Sequence, residues 1–276
     1  MLSMREAIEK YIDGCKGKVE CRALKLFVKA ILAGMMIAFG AAGSNVAAYG
    51  VTDFGLSRLV AGAVFPMGLM MVVMTGAELF TGDCLAVMAV VRKEHTVLKL
   101  LRMLVIVFIG NLMGSVLFVL ADFVSGQYNY SSGILGAYTI KIALGKCNLS
   151  FGAALVSGIL CNILVCTAVL LAACAKDVAG ILLSCFFIIL LFVVNGYEHC
   201  VANMYYVPAG IVAKMNTLYV SDAIQQYGYT AEQLESLNIQ NFLVNNLLPV
   251  TIGNIIGGML FCGLPLLYIN SAGKNK

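Results

Sequence analysis

The chain has 276 residues, 61% of them hydrophobic and 12% charged, and a formal net charge of +4. An average soluble domain carries roughly 25% charged residues, so this composition excludes a water-soluble globule, which needs polar side chains to cover its surface. The small positive charge makes no case for a nucleic-acid partner; where the charges fall along the chain says more.

The first 25 residues are charged and lack the apolar core of a secretory signal. Ser3-Met4-Arg5-Glu6 reads as a capping box, and Met4, Ala7, Ile8, Tyr11 and Ile12 then recur at helical spacing. This predicts a short amphipathic helix at the membrane surface within a cytoplasmic segment 1–25. Six apolar stretches follow: Leu26–Ala48, Leu59–Val91, Leu104–Val124, Phe151–Ala175, Ile181–Val212 and Leu247–Tyr268. Each can cross the ~30 Å of hydrocarbon that needs ~20 residues at 1.5 Å per residue. The second and fifth are too long for one crossing and contain polar interruptions. The expected layout is a six-helix channel domain over 26–268, with a short cytoplasmic tail over 269–276.

Lys and Arg are unevenly distributed. Arg5, Lys10, Lys16, Lys18, Arg22, Lys25 and Lys29 precede or open the first stretch, Arg92, Lys93, Lys99 and Arg102 lie between the second and third, Lys176 follows the fourth, and Lys274 and Lys276 end the chain. The other side receives only Arg58, Lys141, Lys146 and Lys214. An excess of basic residues marks the cytoplasmic face, so both termini are expected inside, in agreement with an even number of spans.

The ten cysteines include no CxxC pair, and most sit inside apolar runs. They read as small residues tolerated in helix packing, with neither disulfides nor a metal or other cofactor expected.

The sequence also repeats itself. Ile109-Gly-Asn-Leu-Met-Gly-Ser-Val-Leu-Phe118 matches Ile252-Gly-Asn-Ile-Ile-Gly-Gly-Met-Leu-Phe261, and Val72-Val-Met-Thr-Gly-Ala-Glu78 parallels Phe192-Val-Val-Asn-Gly-Tyr-Glu198. With three spans in each half, about 26–124 and 151–268, the copies must have opposite orientation. Inverted repeats place a permeation site near the midplane, often at paired broken helices. Helix-packing glycines alone would also give the spacing of Gly110 and Gly114, and of Gly253 and Gly257.

The interruptions are Thr75-Gly-Ala-Glu-Leu-Phe-Thr-Gly-Asp83 and Asn195-Gly-Tyr-Glu-His199. Their glycines allow angles a helix forbids, and Asp83 is suited to cap the half-helix that follows. Unwound backbone must be buried in protein or line a wet cavity, as must the ionisable groups Glu78, Asp83, Glu198 and His199. The two glutamates read as braces for loop amides, since bare carboxylates would repel an anion. His199 can donate a hydrogen bond to an anion when neutral, or a proton when charged; it also fits a core histidine bonded to Asn162 or a carbonyl.

At these residues the chain resembles the formate/nitrite transporter family. Gly-Ala-Glu-Leu-Phe-Thr (76–81) is similar to that family's span-two loop, Asn-Gly-Tyr-Glu-His-Cys-Val-Ala-Asn-Met (195–204) to its span-five signature, and Cys161-Asn-Ile-Leu-Val-Cys166 to span four. The resemblance runs from about Lys16 to Tyr268. It implies an all-α polytopic protein of the bacterial cytoplasmic membrane, six aquaporin-like spans as two inverted repeats, and a homopentamer with one pore per protomer. It also implies passage of small inorganic or one-carbon monovalent anions. Carried over, Leu79 and Phe192 form one hydrophobic constriction, and Phe65 and Val165 add to the second. Thr81 sits between them opposite His199, which Asn162 orients, and Lys16 and Lys146 draw anions to the two mouths. Within the family the span-five text and the cysteines look closest to the clostridial hydrosulfide subfamily, which implies HS⁻ with formate and nitrite also permeant. The alternative is a formate or nitrite channel with proton coupling.

Other activities find no residues to carry them. No Asn-Pro-Ala box marks a water channel, and Val207-Pro-Ala209 is no substitute. One pore histidine argues against ammonium conduction. Glu-His-Cys-Val-Ala lacks the second His of an HExxH metal helix, and no Gly-x-Ser-x-Gly nucleophile turn occurs. The extramembrane segments are too short for a separate scaffold or sensor domain.

Overall fold

The computed structural model describes residues 1–271; the rest of the expected tail, with Lys274 and Lys276, lies outside the described residues. Every regular element among the described residues is helical. Six helices are long and apolar enough to cross a membrane: span 1 (Ala23–Ala48), span 2 (Phe54–Thr75), span 3 (Val97–Val124), span 4 (Phe151–Cys174), span 5 (Val178–Asn195) and span 6 (Ile239–Asn270). Two shorter apolar helices, Phe80–Val91 and Cys200–Ala213, continue spans 2 and 5 beyond breaks at residues 76–79 and 196–199.

Span 1 packs along span 3, and span 4 packs along span 6 in the same way. The repeated glycines make this possible. A Cβ on Gly114 would stand 2.0 Å from the Ile31 carbonyl oxygen, and one on Gly257 2.2 Å from that of Ile159. The backbones therefore touch, and packing of polarisable atoms replaces the hydrophobic drive that is missing between helices in lipid. The opposite face of span 3 exposes Val105, Ile109, Met113, Leu117, Leu120 and Val124, a stripe at helical spacing for lipid or another apolar surface.

The prolines account for the irregular turns. Pro66 separates Phe54–Val64 from Met67–Thr75. In span 6, wide π-type turns over Phe242–Leu247 and Gly257–Gly263 lead into Pro249 and Pro265, whose rings would strike the preceding carbonyls of a regular helix.

The N-terminal helix, Met4–Val19, starts with the expected capping box between Ser3 and Glu6. It does not lie on the bilayer by its apolar face as expected. Ala7, Ile8, Ile12, Cys15 and Val19 are buried against the protein itself, chiefly against span 4, so that face is already covered.

A bridging helix not expected from sequence, Ile134–Cys147, lies between spans 3 and 4. It buries Leu135, Ala137, Ile140, Ala143 and Leu144, largely against Cys200–Ala213. The two helices are counterparts: each precedes three spans and ends in a lysine, Lys18 or Lys146, that pairs with the glutamate of its own repeat's broken loop, Glu78 or Glu198. Each repeat is therefore one helix longer than the three-span unit read from the apolar stretches.

Candidate functional site

Each break begins at a glycine in the left-handed region, Gly76 at φ 68° and Gly196 at φ 71°, which ends the preceding helix. The loop backbone that follows is held by the asparagine of the repeated Ile-Gly-Asn text. Asn111 Oδ1 accepts from the Phe80 N–H at 2.9 Å, while its Nδ2 donates to the carbonyls of Ala30 at 2.8 Å and Glu78 at 3.0 Å. Asn254 Oδ1 accepts from the Cys200 N–H at 2.9 Å, while its Nδ2 donates to the carbonyls of Gly158 at 2.8 Å and Glu198 at 3.0 Å. Both asparagines are fully buried. Neither is among the site residues expected from sequence, although they are the polar identity shared by the repeated text.

The two loops meet in the core. Thr81 Oγ1 and His199 Nε2 lie 2.9 Å apart, and both residues are buried. His199 is also the N-cap of Cys200–Ala213, its Nδ1 accepting from the Ala202 N–H at 3.0 Å. A nitrogen that accepts carries no proton, so the neutral ring holds its proton on Nε2 and donates to Thr81. The Thr81 hydroxyl hydrogen is then free to point elsewhere. A second proton on Nδ1 would set two donors against each other and undo the cap. Asn162 forms no hydrogen bond with the imidazole, contrary to expectation: its Nδ2 donates to the Thr81 carbonyl at 3.2 Å and the Asn254 carbonyl at 2.7 Å. It fixes the threonine loop, and the backbone amide of Ala202 fixes the histidine.

Cavities of about 470 Å³ and 740 Å³ open on opposite sides of this contact. Leu79 lines the smaller one, beside the N-terminal helix, whereas Phe65 and Phe192 line the larger one, beside the bridging helix. The phenylalanines pack edge to face with centroids 5.4 Å apart. Leu79 and Phe192 therefore do not form one slit as expected; each stands on its own side of Thr81 and His199. This follows from the inversion of the repeats, which turns the two loops toward opposite faces. Val165 is buried in span 4 and lines neither cavity.

Both mouths carry lysines, but not both of those expected. In the smaller cavity it is Lys18, not Lys16, that contributes; Lys16 does not line it and is exposed. Lys18 Nζ lies 2.7 Å from both Glu78 and Asp83, and Lys29 Nζ lies 3.1 Å from Glu78. Burial disfavours the Lys18 ammonium, but Asp83, with Tyr11 and Glu78, outweighs it and keeps the group charged well above its ordinary range. Asp83 thus anchors the N-terminal helix, and its side chain makes no capping bond to the half-helix it was expected to open. Tyr11 adds a tie, its hydroxyl donating to the Gly82 carbonyl at 2.9 Å. In the larger cavity Lys146 lies 2.9 Å from Glu198, whose other oxygen accepts from Asn203 at 2.6 Å and Asn246 at 3.3 Å. Both glutamates are consumed by these pairs, as bracing requires.

Inverted repeats, two broken spans, and a buried polar contact between two opposed cavities define a helical membrane channel or transporter. The chain belongs to the formate/nitrite transporter family, whose sequence pattern matches residues 5–268. It is 37% identical over 217 residues to the formate channel FocA of Haemophilus influenzae, covering 78% of this chain and 75% of that one. It is 36% identical over 243 residues to the formate channel FocA of Escherichia coli, covering 87% and 85%. A solved structure described as a pentameric formate channel with formate bound superposes with a TM-score of 0.78 at 34% identity, over 90% of this chain and 97% of that one. None of these supports particular closeness to a hydrosulfide channel.

Proposed function

We propose that this chain conducts formate and similar small monovalent weak-acid anions across a bacterial cytoplasmic membrane. The observation that carries the reading is the Thr81–His199 contact, formed by two broken helices between two cavities. The path runs from the Lys18 side past Leu79 to that contact, then past Phe65 and Phe192 to the Lys146 side. Stripping water from a full charge between these apolar side chains is costly. The Thr81 hydroxyl and the His199 Nε2–H are the donors that offset it, and the half-helix N-termini at Phe80 and Cys200 add favourable partial charge. Neutral imidazole suits this role, so a proton that crosses with the anion comes from vestibule water rather than from a standing imidazolium. The distribution of basic residues favours the Lys18 side as cytoplasmic, with both termini there. The structural neighbour and the apolar outer faces favour a homopentamer with one path in each protomer.

Formate stands ahead of hydrosulfide because the relatives that resemble this chain are formate channels. The test is flux of formate, nitrite, hydrosulfide and chloride through reconstituted protein under one gradient. Formate moving at least as fast as hydrosulfide is expected. Hydrosulfide moving much faster would restore the hydrosulfide reading, and no anion flux would overturn the channel.

A further inference from the structure

The two cavities differ in fixed charge. Around the smaller one, Lys18 and Lys29 are matched by Glu78 and Asp83. The second repeat has Asn203 in the position of Asp83, bonded to Glu198, and its Lys146 is matched by that glutamate alone. The larger cavity has two more cations, Arg58 and Lys141, and among the described residues neither forms an ion pair. Among the described residues its only lining carboxylate is the Glu198 already held by Lys146.

Both extra cations are held in place. Lys141 Nζ lies 4.5 Å from the ring centre of Tyr227 and 5.7 Å from that of Tyr138, between two electron-rich faces that leave its hydrogens available. The Arg58 guanidinium covers Gly196: a Cβ there would stand 2.9 Å from its Nη2. The end of the helix Val178–Asn195 offsets part of the Arg58 charge.

We propose that Arg58 and Lys141 form a second anion site, which takes small divalent anions such as sulfate or a short dicarboxylate and is blocked by them. This rests on the channel reading above. Attraction to the fixed charges doubles from a monovalent to a divalent anion, whereas the cost of removing an ion from water grows with the square of its charge. A dianion therefore gathers in this vestibule more strongly than formate does. It cannot follow formate past Phe65 and Phe192 to a centre that offers only neutral donors. The site is thus a place of one-sided block.

The test is equilibrium binding of radiolabelled sulfate to purified protein in lipid-free detergent, beside formate flux with sulfate on one side of a planar bilayer at matched ionic strength. Saturable binding is expected, weakened at least about tenfold by Arg58→Gln with Lys141→Gln, the effect of losing one charge-assisted hydrogen bond. Lys16→Gln should leave it unchanged. The double variant should still conduct formate and lose the block, which in the wild type acts from the bridging-helix side only. Absence of saturable binding, equal binding by the double variant, or equal block from both sides would overturn the site. Wild-type protein that conducts formate but binds no sulfate sinks this site alone; protein that conducts no anion sinks the channel reading.

Discussion

Asn254→Asp tests whether the repeated asparagines hold the broken loops. The substitution keeps size and shape, and one oxygen can still accept from the Cys200 N–H, now at 2.9 Å. The other oxygen replaces an amide that donates to Gly158 at 2.8 Å and Glu198 at 3.0 Å, and it has no hydrogen to offer. Each buried bond lost in this way costs about 1–3 kcal/mol, so the pair costs roughly 2–6 kcal/mol. A carboxylate in a dry core adds to that unless it takes up a proton, which would restore one of the two donors. Against a total stability of about 5–15 kcal/mol this is a large fraction. It corresponds to a fall in unfolding midpoint of roughly 5–20 °C for a chain of this size. Thermal unfolding in detergent and formate flux in liposomes should both fall, with partial recovery of stability at acidic pH. Asn111→Asp should do the same through Phe80, Ala30 and Glu78. Wild-type midpoint and flux in either variant would refute the argument that these side chains set the loops.

Other substitutions separate the roles of neighbouring groups. His199→Ala should abolish most flux while the assembled mass in detergent stays unchanged, and His199→Gln, which keeps an N–H donor, should retain clearly more; equal loss in both would refute the neutral-donor role. Lys18→Gln should leave Asp83 without a cation and Glu78 with Lys29 alone, lowering both stability and flux, whereas Lys16→Gln on the exposed side should change neither. Gly257→Ala would force a methyl to 2.2 Å from the Ile159 carbonyl oxygen, and Gly114→Ala one to 2.0 Å from that of Ile31. Overpacking of this kind costs at least about 1–3 kcal/mol, and a backbone neighbour cannot move aside, so yield and unfolding midpoint should drop sharply in both.

Spans, breaks and inversion were legible because each has a local signature. Twenty apolar residues in a row, a glycine followed by a glutamate inside such a run, and one text written twice need no tertiary information. The N-terminal and bridging helices were harder. Ile134–Cys147 is too short to cross and carries Lys141, Lys146 and two glycines, which read as loop; its apolar side is defined chiefly by Cys200–Ala213, which lies far along the chain. Lys16 and Lys18 differ by about half a turn of helix, so spacing alone could not say which faced the cavity. The pairing of Lys146 with Glu198 could have said it, since the inverted copy needs a lysine at the equivalent end of the first helix. Asn162 was misassigned for the same reason: its partner is a carbonyl, and carbonyls leave no mark in sequence.

The repeats agree in their frame and differ at the centre, and on the proposed function that difference is what makes a selective path of a symmetric scaffold. Glycine, glutamate and asparagine recur at both breaks and do the same mechanical work in each. The next position does not recur: Leu79 caps its half-helix with no side-chain bond, whereas His199 caps the corresponding one through Nδ1. Two histidines there would put two donors, or two charges, in one dry cavity and would stop an anion in a well. Two leucines would leave it nothing to bind. In the proposed anion path, one of each, with Thr81 reaching across from the leucine loop, would give a single weak polar stop between two apolar steps, which an ion could enter and also leave.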